Sequence, residues 1–174
     1  MRTSATGYDL QLTVDWSETY ICYFDGLCEP INPGGIATYG IVIKKGGENI
    51  HEESGLAFAK PWSKEATNNV AEYSAAIHAL EWLKKGGLAN SPAVLRGDSR
   101  LIIRQLRGEY KVKAPRIVEL YRHASKLLTE FSSLRLQWVD RSKNKEADLL
   151  SRIAYHRYKK EFPGHYSRPT QNPF

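Results

Sequence analysis

Hydrophobic and polar residues alternate over residues 8–16, "YDLQLTVDW", where Tyr8, Leu10, Leu12, Val14 and Trp16 share one side. That period of two predicts a half-buried strand at the edge of a sheet. A second strand is expected over 20–25, a third over 36–44, "IATYGIVIK", and a hairpin partner over 48–58 after the turn Lys45-Gly46-Gly47. Beyond Pro61 the period lengthens to that of a helix. "TNNVAEYSAAIHALEWLKKGG" offers Asn68 or Asn69 as cap, an alanine- and leucine-rich body, lysines in the last turn and Gly86-Gly87 as stop. A short strand "AVLRGD", a helix from Ser99 to about Arg107, a Pro115-initiated helix, a strand "LRLQWV" and a helix starting near Asn144 follow.

The order β-β-β-α-β-α-α-β-α combines opening hairpins with strands separated by helices. It predicts an α/β fold, a mixed five-stranded sheet with helices on both faces, with room for an extra N-terminal strand. Residues 1–17 read as an extension, 18–156 as the main folded domain, and 157–174 as a basic, aromatic tail whose last fifteen or so residues are poorly suited to folding.

Charge sharpens the picture. The 174 residues carry a net charge of +6, which favours an anionic partner such as nucleic acid. Cys22 and Cys28 are too few for a disulfide framework or a cysteine zinc site, and free thiols are expected. With no signal-like or membrane-spanning apolar run, the chain is expected to be a cytoplasmic protein without membrane contact, and a monomer.

Four acids occupy positions where packing favours apolar residues. Asp25 closes the predicted strand "YICYFD"; Glu72 shares a stripe with Ala76, Ala79, Leu80 and Leu83; Asp98 ends a strand before Ser99, a plausible helix cap; Asp148 lies one turn into the last helix. Each has an ordinary explanation. Asp25-Gly26 can cap a turn, and the others can serve helix N-termini. Yet strand ends and helix starts gather on one edge of an α/β sheet. Converging carboxylates need a cation, and oxygen-only ligands favour Mg²⁺ or Mn²⁺. Two such ions suit displacement at phosphorus.

The blocks "FDGLCEPINPGGIATYG", "TNNVAEYSAAIHAL", "RGDSRLIIRQLRGEYKVK" and "WVDRSKNKEADLLSR" resemble, in order, the motifs of the type 1 ribonuclease H family over roughly residues 20–155. The resemblance implies a ribonuclease H-like fold and a metal-dependent endonuclease. Such an enzyme cuts the RNA strand of RNA/DNA hybrids to 3′-hydroxyl and 5′-phosphate ends, with two Mg²⁺ ions per site and Mn²⁺ as an alternative. It implies Asp25, Glu72, Asp98 and Asp148 as catalytic metal ligands, Asp25 bridging the ions and Glu72 near the ribose 2′-hydroxyl. Asn32, Asn68 and Asn69 match minor-groove contacts and Thr67 a DNA-phosphate contact. Gly26, Ser99, Arg141 and Asn144, beside the motif acids, are counted as substrate-side residues. Asn68 and Asn69 could instead only cap their helix.

Two departures stand out. The loop "DRSKNKEAD" lacks the histidine many relatives carry before the last aspartate, with Arg141 the first candidate to take over part of its role, ahead of Lys143 or Lys145. The inserted basic, tryptophan-containing helix of many relatives is also missing, since "GEYKVKAPRIVELY" passes directly between helices. Residues 96–113, with six Lys/Arg against two acids, and the tail with Tyr155, Tyr158, Phe162 and Tyr166 among basic residues are possible substitutes. Double-stranded RNA as a further substrate, and a non-catalytic nucleic-acid-binding module, are the alternatives. Transposase and resolvase relatives share the acid chemistry but fit the "NPGG" and "TNN…E" segments less well.

Overall fold

The computed structural model describes residues 15–164. Most of the strand expected over 8–16, and the tail beyond Gly164, lie outside them. Strands β1 (Tyr20–Glu29), β2 (Ile36–Lys45), β3 (Glu48–Leu56), β4 (Ala93–Gly97) and β5 (Leu134–Trp138) alternate with helices α1 (Asn68–Lys85), α2 (Arg100–Leu106), α3 (Pro115–Leu128) and α4 (Lys145–Glu161) in the expected order. A 3-10 turn over Arg141–Lys143 is added before α4. The sheet order is β3-β2-β1-β4-β5. The hairpin strands β1, β2 and β3 pair antiparallel, and β4 joins β1 and β5 in parallel, as helical crossovers require.

Burial follows the layers. β2 is buried from Ile36 to Ile43 because α1 covers one face and α4 the other. Edge strand β5 keeps its period of two, turning Leu134, Leu136 and Trp138 to the core. α1 lies between the sheet and α3, so its alanines are buried nearly all round the axis. Its cap is Thr67, whose Oγ1 accepts from the Val70 N–H at 3.1 Å, rather than Asn68 or Asn69. Thr67 holds the extended backbone a cap needs, whereas both asparagines are already helical.

Two glycines set the spacing of the layers. A Cβ on Gly26 would stand 2.2 Å from the Glu72 nitrogen, and one on Gly40 would stand 2.4 Å from the Ala147 carbonyl oxygen. These close approaches bring α1 and α4 onto opposite faces of neighbouring strands. α4 continues to Glu161, so Arg157 to Lys160 of the expected tail are helical. Trp62 Nε1 then donates to the Phe162 carbonyl at 2.9 Å. Cys22 and Cys28 are buried free thiols, as expected. Among the described residues no helix is long and apolar enough to cross a membrane.

Candidate functional site

Asp25 does not end its strand. β1 runs four residues further, with Asp25 opposite Gly40 and Gly26 opposite Tyr39, because β2 continues to pair there. The turn-cap reading of Asp25-Gly26 is thereby overturned. What ends is the other neighbour: the parallel ladder to β4 closes at Phe24 and Gly97. Immediately past that point the chain turns from β4 through Asp98 into α2, and the sheet opens beside Asp25. Ser99 caps α2, its Oγ accepting from the Ile102 N–H.

Into this opening α1 delivers Glu72 from one face and α4 delivers Asp148. Oxygens of Asp25, Glu72 and Asp98 all lie within 4.8 Å of one another. The surrounding cavity, about 420 Å³, is lined by these three together with Gly26, Asn68, Ser99, Arg141, Asp148 and Arg152. Asp148 lines the same cavity but stands outside the tight cluster. Arg141 Nη2 donates to its Oδ1 at 2.8 Å and Arg152 Nε to its Oδ2 at 3.0 Å.

Charge crowding has the consequences expected of it. Burial pushes the Asp25 carboxyl up to about 7; Asp98 and Asp148 add to the rise, and the hydrogen bond from Ser151 opposes it. Burial, then the charges of Asp25 and Asp98, carry Glu72 well above the ordinary carboxylate range. Partial burial works upward on Asp148 too, but its two guanidinium partners outweigh it and hold the group below its ordinary value. Glu72 Oε2 is buried without a hydrogen-bond partner. A buried, unpartnered oxygen in an oxygen-only donor set fits a hard divalent cation.

The remaining predicted residues divide. Asn32 is exposed, and its Oδ1 accepts from the Asn68 N–H at 3.1 Å, tying the β1–β2 loop to the start of α1. Asn69 is exposed as well. Asn144 departs from expectation: it is 1% exposed, so it cannot face substrate as this structure stands. Its Nδ2 reaches the Phe24 carbonyl at 2.9 Å and Asp98 Oδ1 at 3.2 Å, bracing β1, the β4 end and α4 together. Gly26 acts by having no side chain, letting the Glu72 backbone approach.

Sequence reading overlooked Ser151, Arg152 and Trp138. Ser151 Oγ is 2.7 Å from Asp25 Oδ2, and Trp138 Nε1 donates to the Asp98 carbonyl at 2.9 Å. The i+3 and i+4 spacing of Ser151 and Arg152 from Asp148 was the available signal.

The family model described as "Reverse transcriptase-like" matches residues 24–154. The crystal structure of RNase H1 from the archaeon Halobacterium salinarum superposes with a TM-score of 0.70 at 32% identity, over 80% of this chain and 98% of that one. The chain belongs to the type 1 ribonuclease H family. LC11-RNase H1, solved in complex with an RNA/DNA hybrid, gives a TM-score of 0.70 at 36% identity over 80% of this chain and 98% of that one. The bifunctional protein Rv2228c of Mycobacterium tuberculosis is 39% identical over 123 residues, 71% of this chain. The chain covers only 32% of that curated relative's length. Among the described residues no helix is inserted between α2 and α3.

Proposed function

We propose that this chain hydrolyses the RNA strand of RNA/DNA hybrids as an endonuclease, leaving 3′-hydroxyl and 5′-phosphate ends. The observation that carries the reading is the convergence of Asp25, Glu72 and Asp98 within 4.8 Å, with Asp148 across the same cavity, in a ribonuclease H chain. Asp25, Glu72, Asp98 and Asp148 would hold two divalent cations, Mg²⁺ or Mn²⁺. Such ions activate water and stabilise the leaving oxygen of an in-line displacement.

The chain's own groups supply the rest. Burial favours the protonated forms of Asp25 and Glu72, so cation binding is coupled to proton release there. Asn144 and Trp138 fix Asp98 from behind, through its side chain and its carbonyl respectively. Asn68 and Ser99 offer uncharged polar groups at the cavity wall, suited to sugar and base edges without demand for one sequence. Arg141 is exposed and already within reach of Asp148, so it is available to a scissile phosphate or a departing product phosphate.

The test compares RNA/DNA, RNA/RNA and DNA/DNA duplexes with Mg²⁺, Mn²⁺ or EDTA. Hybrid cleavage that needs metal and disappears in Asp25→Asn supports the proposal; metal-independent cleavage sinks it. Cleavage of RNA/RNA at an equal rate revises only the substrate.

A further inference from the structure

A second cavity, about 220 Å³, is lined by Arg100, Ile103, Arg104, Arg107 and Trp138. Two contacts tie its wall to the carboxylate site. Trp138 donates its indole N–H to the Asp98 carbonyl, and the Arg100 guanidinium lies over the Trp138 ring, 4.2 Å from its centroid.

All three arginines are exposed, at i, i+4 and i+7 of one helix face, while Ile102, Ile103, Gln105 and Leu106 bury the opposite face. Like charges at that spacing destabilise a helix, so the row is a cost to the fold. Neutralisation is slight. Among the described residues Arg100 has no carboxylate within ion-pair distance, and Arg104 and Arg107 share Glu109 at 3.9 and 3.5 Å. Such long, exposed pairs contribute little. Order is nevertheless built in: Arg104 donates to the Tyr110 hydroxyl, and Arg107 Nη2 donates to the Leu136 carbonyl at 2.6 Å. Each guanidinium has five N–H donors, so most stay free for an anion.

We propose that this face of α2 is a rail for the phosphate backbone of the duplex where it leaves the carboxylate cavity. At a rise of about 1.5 Å per residue, Arg100 and Arg107 stand roughly 10 Å apart along the axis. One strand of a duplex carries a phosphate about every 3.4 Å of its axis, so the row spans about three phosphates. The identity of the occupant rests on the hybrid-hydrolase reading above.

The experiment measures binding of a fluorescent 20-base-pair RNA/DNA hybrid in EDTA across a salt series, using anisotropy. It compares the wild-type chain, R104Q/R107Q, R100Q, and K85Q/K126Q, which removes two charges from other surfaces, each checked for its thermal melt. R104Q/R107Q should bind at least about tenfold more weakly, with a salt slope smaller by about two, and R100Q should lose about one unit of slope. The lysine variant should match wild type. Arginine variants that keep the wild-type affinity and slope overturn the rail, as does an equal loss in K85Q/K126Q, which would mark a net-charge effect. Cleavage is scored separately. A wild-type chain that binds through α2 but fails to cut hybrid with Mg²⁺ or Mn²⁺ defeats the hydrolase reading alone.

Discussion

Ser151 Oγ on α4 stands 2.7 Å from Asp25 Oδ2 on β1, so the last helix reaches the central carboxylate of the site. The hydroxyl favours the charged form of a group that burial drives the other way. Ser151→Ala removes that support. A hydrogen bond to a charged group contributes roughly 1.5–3 kcal/mol, and about 1.4 kcal/mol corresponds to one pKa unit. At sub-saturating Mg²⁺ the acid limb of hybrid hydrolysis should therefore move up by about one pH unit. A pH–rate profile checks this, and an unmoved limb contradicts it.

Asp25→Asn should abolish activity yet stabilise the metal-free chain at pH 8. The sign follows from linkage. The Asp25 carboxyl titrates near 3.8 when unfolded and at about 7 when folded, so the folded chain binds the proton more readily. Stability from this group is full below about pH 4 and is lost as pH rises to about 7. In EDTA the variant's melting temperature should exceed wild type at pH 8, by about 2–4 °C per kcal/mol, with the gap smaller at pH 5 and closing only below about pH 4. Calorimetry at both pH values decides it; a wild-type chain equally stable at pH 5 and 8 would contradict it.

Gly26→Ala should damage fold and site together. The new Cβ would meet the Glu72 backbone nitrogen at 2.2 Å, and backbone atoms cannot yield as a side-chain end can. Overpacking of this kind costs about 1–3 kcal/mol or more. A urea midpoint should fall, and activity should fall further than stability explains, because α1 must retreat and carry Glu72 from Asp25. A variant of full activity would show that the approach is not needed.

Arg152→Gln should loosen the grip on Asp148. Arg152 holds Asp148 Oδ2 at 3.0 Å and also reaches Glu29 at 3.8 Å. With one guanidinium gone, a cation meets less competition, and half-saturating Mg²⁺ for cleavage should drop about two- to fivefold, the effect of a partly exposed pair of up to about 1 kcal/mol. A metal titration reads the outcome; a higher Mg²⁺ requirement would mean that Arg152 aims Asp148 rather than restraining it.

Much of the scaffold was legible because its signals are local. The period change between the hairpins and α1, Pro115 at a helix start and Gly86-Gly87 at a helix end each report on a few neighbouring residues. The four acids were also visible, as charges on otherwise apolar faces. What could not be read depends on partners distant in sequence. Asp25-Gly26 looked like a turn because only the pairing with Gly40 and Tyr39 shows that the strand continues. Asn144 looked available to substrate because nothing nearby reveals Phe24 and Asp98 closing over it. Asn68 and Asn69 looked like the caps of α1, and backbone conformation, which composition does not reveal, selected Thr67 instead.

The ending of the β1–β4 ladder at Phe24 and Gly97 has one more consequence. It makes the opening beside Asp25 a property of where two strands part, while helices carry Glu72 and Asp148 into it. The stretch between α2 and α3 supplies none of the four carboxylates and takes no part in that ladder. A designer seeking a different duplex preference can exchange that stretch as a fitting and leave the strands alone.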